Sequence, residues 1–227
     1  MVRESKKPKN KTNQLAIEQI GWIIEQMHAE AAKRNAPVFR AEASKNTPFP
    51  ILVFTMLSAR TKDSTTLTAV DRLFEVANSA DQIAKIEQTT LEKLLYGVGF
   101  YRVKSKNLIE ICRRIVVRGG EVPDTLEELL SLPGIGRKTA NIILSRAFGK
   151  VALGVDVHVH RISNRLGIVK TKKPEETEQV LMKQITSNFI RTLNRDFVAF
   201  GQTICLPKKP ICSICPINKI CWRVDVK

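Results

Sequence analysis

An all-α fold is predicted for this chain by two features of its pattern. Apolar side chains recur every three or four residues in segment after segment, the spacing that gathers them on one face of a helix. No stretch shows the apolar–polar alternation of a half-buried strand, and no long-period internal repeat interrupts the reading. The 227 residues, 43% of them hydrophobic, suffice to bury a sizeable core, as one large domain or as two interleaved smaller ones.

Taken in order, Met1 to about Lys11 is basic and poor in apolar side chains, and reads as a flexible tail ending near residue 12. From Asn13 to Arg34, Leu15, Ile17, Ile20, Ile23, Ile24 and Met27 fall at helical spacing, with Trp22 among them as a packing residue. Pro37, Pro48 and Pro50 predict an irregular connection. Ile51 to Ala59 is apolar all round and reads as a buried helix. Arg60-Thr61-Lys62-Asp63 breaks that run, with Asp63 placed to cap a helix through Leu67, Val70, Leu73 and Phe74.

Shorter helices are expected over Ser79 to Ile86 and Thr89 to Leu95, then a loop at Gly97-Val98-Gly99-Phe100-Tyr101. Val103 to Val117 shows one apolar face formed by Leu108, Ile109, Ile111, Cys112 and Ile115, which makes Cys112 an ordinary core residue. Helices are also expected from Val155 to Leu166, Pro174 to Ile185 and Ile190 to about Ile204.

Between them lies SLPGIGRKTANIILSRAFGKVALGVDVHVHR, Ser131 to Arg161. A helical run from near Asp124 closes at Leu132, Pro133-Gly134-Ile135-Gly136 turns the chain, and Arg137 onward resumes a helix through Ile142, Ile143, Leu144 and Ala147. Glycine at 134 and 136 admits conformations that a side chain blocks and lets the backbone approach another surface. Amides at such a turn, at the start of a helix whose dipole favours negative charge, form an anion site beside Arg137 and Lys138. A DNA phosphate is the natural occupant. Taken alone, such a turn also serves simply to join two packed helices.

The formal charge of +15 and pI near 9.8 favour a polyanionic partner, nucleic acid before an acidic membrane. A solvated basic surface is the plainer reading of the same charge. No run approaches the roughly 20 apolar residues of a membrane span, and no signal-peptide core precedes a cleavage-like site, so a cytosolic protein is expected.

Four of the five cysteines, Cys205, Cys212, Cys215 and Cys221, stand in a C-x6-C-x2-C-x5-C array. Four thiolates suit zinc as well as an iron–sulfur cluster, and disulfides are disfavoured without a secretory signal. Lys208, Lys209 and Lys219 lie along the same stretch, a set of positive charges suited to phosphate.

LPGIGRKTA, followed eighteen residues after its lysine by VDVHVHR, resembles the endonuclease III family of helix-hairpin-helix DNA glycosylases. The resemblance runs from about Asn13 to the last cysteine. It implies two helical lobes with a DNA groove between them: residues 40–150 as a six-helix domain with the hairpin, and 13–39 with 151–227 as the cluster domain. Catalysis is implied for Lys138 and Asp156, and a [4Fe–4S] cluster on the four cysteines. LSARTKD, Leu57 to Asp63, resembles the family's LSAQ-type segment, with Arg60 in place of glutamine. GFYRVKS, Gly99 to Ser105, resembles the loop that carries a wedge residue, with Phe100 at the leucine-like position and Tyr101 beside it.

The activity implied is base excision of oxidised pyrimidines from duplex DNA, with strand cutting through a lysine Schiff base, by a monomer associated with the nucleoid. DNA contacts are expected from Arg60, Phe100, Tyr101, Gly134, Gly136, Arg137, Lys208 and Lys209. Without the resemblance Asp156 reads equally as a helix cap, and His158 and His160 as packed or hydrogen-bonded structural histidines. Two rivals stand beside this activity: a mismatch glycosylase of the same superfamily, and a non-catalytic DNA-binding module.

Overall fold

The computed structural model describes residues 12–39 and 47–226. The reading of the first eleven residues as a flexible tail lies outside them. The described residues are helical throughout, with no strand among them. The chain divides into two compact units, one taking residues up to Ala36 and from Val155 onward, the other Pro37–Gly154.

In the first unit, α1 (Gln14–Glu18) and α2 (Ile20–Lys33) replace the single expected helix, because the chain breaks at Gln19. Three further helices complete it: α10 (Val157–Leu166), α11 (Pro174–Gln184) and α12 (Ser187–Thr203). Helix α12 packs along α2 and against α10, burying Ile23 and Met27 with Phe197 and Phe200. Burial of side chains of this size stabilises by about 1.5–3 kcal/mol each. Trp22 departs from its expected packing role: it is 44% exposed on the outer side of α2. Asn13 is the polar tie of this unit. Its amide nitrogen donates to Leu166 O and Ile220 O, both at 2.8 Å, while its Oδ1 accepts from Ala16 N. The head of α1 is thereby fastened to the end of α10 and to the cysteine segment.

From Pro48 onward the second unit holds seven helices, one for each helical run expected there, Ala80–Ala84 falling within the expected Ser79 to Ile86. They are α3 (Pro48–Ser58), α4 (Asp63–Val76), α5 (Ala80–Ala84), α6 (Gln88–Leu94), α7 (Tyr101–Val117), α8 (Leu126–Ser131) and α9 (Arg137–Phe148). Pro48 and Pro50 do not interrupt structure as expected. Both sit in the first turn of α3, where a backbone N–H has no helical partner to lose. Asp63 is the first residue of α4 rather than its cap, and from there its charge complements the helix dipole. Leu52 and Leu57 of α3, Leu108, Ile111 and Ile115 of α7, and Ile143 of α9 form the centre of one core, in which Cys112 is fully buried. Burial pushes the Cys112 thiol up to about 12, as suits an inert core residue.

Candidate functional site

The hairpin forms as the sequence predicts. Thr125 caps α8 by accepting from Glu128 N, Leu132 ends it in an extended conformation, and α9 begins at Arg137. Leu132 and Ile135 are buried and anchor the turn from below, while Gly134, Gly136, Arg137 and Lys138 face out. The two glycines turn out to have different reasons. Gly134 has φ +80°, and a Cβ there would meet the Asn107 side chain at 2.6 Å. Gly136 is extended backbone that any residue adopts, with open space where its Cβ would be. Its part is to cap α9 without a side chain over the first-turn amides, which leaves that helix start open to an anion.

Lys138 stands in the first turn of α9 and is exposed. Asp156 belongs to the other unit, half-buried at the head of α10. Its Oδ1 accepts from His158 N and Val159 N, both at 2.9 Å, so it is the helix cap of the plainer reading. Both of these bonds fall on Oδ1. His158 and His160 behave as structural histidines: His158 Nδ1 meets Arg161 at 3.1 Å and His160 Nδ1 meets Thr177 Oγ1 at 2.7 Å.

Arg60 and Phe100, forty residues apart in sequence, are brought together. The guanidinium carbon lies 5.6 Å from the ring centroid, within cation–π range, and the ring is 62% exposed. Tyr101 stacks edge-on against Tyr96 at 5.7 Å, with Arg102 over its other side at 5.6 Å. Tyr96, 69% exposed, was not anticipated from the sequence. An exposed aromatic next to a glycine loop in a basic protein is the signal that marks it.

Cys205, Cys212, Cys215 and Cys221 all line one pocket, whose other walls include Ile162, Leu166, Phe200, Ile204 and Ile217. Cys212 opens a single 3-10 turn, Cys212–Ile214. Among the described residues no group of three or more His, Cys, Asp or Glu side chains is arranged to hold a single metal ion. Burial pushes the Cys215 thiol up to about 12 and raises that of Cys221, with the neighbouring thiols adding to it. Such groups ionise only when cationic metal compensates them. Lys208, Lys209 and Lys219 are exposed on the same segment.

Comparison with known proteins settles the family. Residues 53–187 match the model described as HhH-GPD superfamily base excision DNA repair protein. The chain belongs to the HhH-GPD superfamily of base excision DNA repair proteins. This HhH-GPD chain is 46% identical over 200 residues to endonuclease III of Thermotoga maritima, covering 88% of itself and 92% of that relative. It is 33% identical to endonuclease III of Rickettsia felis, covering 85% and 91%. Among solved structures it is similar to a trapped endonuclease III–DNA covalent intermediate, with a TM-score of 0.79, 31% identity, and 90% and 95% of the two chains covered. A thermostable thymine-DNA glycosylase shares the fold at a TM-score of 0.78 and 23% identity. As an HhH-GPD protein the chain is a DNA glycosylase and abasic-site lyase of base excision repair, and it binds DNA. No helix among the described residues is long and apolar enough to cross a membrane.

Proposed function

We propose that this glycosylase removes oxidised pyrimidines from duplex DNA, acting as a monomer in the cytoplasm at the nucleoid, and cuts the strand at the resulting abasic site through Lys138. The observation that carries the reading is the exposed Lys138 amine beside an anion-ready hairpin, in a chain similar to a protein trapped covalently on DNA.

Gly134, Gly136 and Arg137 hold a backbone phosphate at the head of α9, where N–H groups and the helix dipole converge. The damaged nucleotide leaves the stack, because its glycosidic bond is inaccessible within the duplex. Phe100, with Tyr101 beside it, fills the gap, and Arg60 hydrogen-bonds the orphaned partner base. The bound DNA covers the Lys138 amine and excludes water from it. The neutral amine attacks the anomeric carbon, the bond to the base breaks, and its electron pair leaves with the base. Opening of the sugar gives a Schiff base. Loss of a proton from the neighbouring carbon then expels the 3′ phosphate, and water releases the enzyme. Asp156, through Oδ2, stabilises positive charge growing on the sugar and assists proton transfer at the amine.

The four cysteines fit a [4Fe–4S] cluster, for which the shared pocket and the uncompensated buried thiols are the support. A bound cluster supplies a rigid centre for the segment around it. Lys208 and Lys209 are then held as a fixed pair of charges for the DNA backbone.

Borohydride trapping on an oligonucleotide carrying an oxidised pyrimidine tests the reading. The parent forms a covalent adduct and Lys138→Ala forms none. Equal trapping by Lys138→Ala would show that another amine is the nucleophile, and no adduct from either protein would overturn the Schiff-base step.

A further inference from the structure

Lys104 lies on the buried side of α7, only 8% exposed, in the stripe formed by Leu108, Ile111 and Ile115. An ammonium taken out of water must have its donors met. Here Nζ donates to Leu57 O at 2.7 Å, to Ala59 O at 2.5 Å and to Thr61 Oγ1 at 3.2 Å. Leu57 and Ala59 are at the C-terminal end of α3, where carbonyls lack helical partners and the dipole favours a cation. Thr61 Oγ1 also accepts from Gly99 N at 3.0 Å. Ammonium, hydroxyl and amide thus form one chain of hydrogen bonds from the end of α3 to the turn that enters α7.

Arg60 and Phe100 project from the two segments so joined. Each is a non-glycine residue in the left-handed region, with φ of 55° and 58°, a strained conformation that the surroundings must hold in place. The turns touch through their backbones, since a Cβ on Gly99 would lie 2.6 Å from Arg60 O. Burial lowers the Lys104 amine to about 8, which still leaves it largely an ammonium near neutral pH.

We propose that Lys104 is a positioning residue for duplex recognition, whose hydrogen bonds to Leu57 O, Ala59 O and Thr61 Oγ1 hold the two turns so that Arg60 and Phe100 reach DNA as one preset pair. The proposal rests on the reading of Arg60 and Phe100 as the residues that enter the duplex. Ordering two strained turns before binding removes a cost that would otherwise fall on the flipping step. A lysine serving only as a core staple would affect every substrate alike. A positioning lysine matters most where a base pair has to be opened, because a single strand needs neither wedge nor partner-base contact.

The test compares cutting at an abasic site in duplex and in single-stranded oligonucleotides, using the full chain. The variants are Lys104→Met, Thr61→Val, and the double variant Arg60→Ala with Phe100→Ala. In Lys104→Met the ratio of duplex to single-strand rates is expected to fall about tenfold or more, and in Thr61→Val several-fold. In both, the spread of duplex rates over the four opposing bases should narrow. If both variants keep the parental ratio while the double variant loses it, Lys104 is a staple and the proposal is wrong. If the double variant also keeps the ratio, the reading of Arg60 and Phe100 fails and takes the proposal with it. Should Lys104→Met not fold, Thr61→Val, which removes one hydroxyl, decides alone.

Discussion

The Arg165 guanidinium donates a 3.3 Å hydrogen bond to Cys205 Sγ. The same group donates to Leu206 O and Pro207 O, each at 2.7 Å, while Cys221 Sγ approaches the Arg165 carbonyl at 3.4 Å. One buried side chain from the last turn of α10 thus ties down the first cysteine and the two residues after it. Arg161, one turn earlier, adds a 2.9 Å bond to Cys205 O.

Arg165→Leu is therefore expected to cost about 2–4 kcal/mol, because two carbonyls lose a charged donor. Thermal unfolding measures the loss. Anaerobically purified parent should contain about four iron and four sulfide per chain. In Arg165→Leu a chelator should strip the iron faster, and Cys212→Ser should fail to hold the full complement. One zinc and no iron in the parent would overturn the cluster assignment.

Substitution separates the capping by Asp156 from the chemistry proposed for it. Asparagine is as good an N-cap as aspartate, so Asp156→Asn should change stability by no more than about 0.5 kcal/mol. Asp156→Ala loses both amide contacts and should cost about 1 kcal/mol. If the carboxylate acts in the reaction, both variants lose turnover by roughly 100-fold or more. Single-turnover base release beside denaturant unfolding gives both readings; unchanged turnover in Asp156→Asn would confine Asp156 to capping.

The hairpin glycines should separate in the same way. Gly134→Ala meets both a left-handed backbone and the Asn107 amide, and should destabilise by about 1–3 kcal/mol. Gly136→Ala meets neither and should cost no more than about 1 kcal/mol, alanine being the poorer N-cap. If the hairpin approaches a phosphate closely, Gly136→Ala nonetheless weakens binding to undamaged duplex, measured by fluorescence anisotropy. That binding should itself fall steeply from low to moderate salt.

Lys104 predicts a pH dependence whose sign follows from proton binding. Its amine titrates near 8 in the folded chain against 10.5 when unfolded, so between those values the unfolded chain holds more protons. Stability should rise with pH across that window: the gain is complete above 10.5 and lost as pH falls through about 8. In Lys104→Met this rise disappears, which equilibrium unfolding at several pH values checks. Duplex selectivity should move the opposite way, falling as the ammonium loses its charge.

The hairpin with its lysine, the aspartate at the head of α10 and the four cysteines are readable in the sequence because each is a local pattern. A proline-glycine turn between amphipathic runs, a polar residue at a helix start and clustered thiols all act over a few residues. Helix limits shift where a local rule has two outcomes: Pro48 and Pro50 suit a helix start as well as a break. Trp22 is apolar in type but lies off the packed side of α2.

By itself, the sequence determined the helical class, the family and the residue types at the positions proposed to react. Tertiary structure alone decided the pairing of Arg60 with Phe100 and the surroundings of Lys104, whose hydrogen-bond partners lie 43 to 47 residues away. The one trace in the sequence is a charge on the apolar stripe of α7. Periodicity marks that position as buried, but what satisfies a buried ammonium depends on which carbonyls the packed fold sets opposite it.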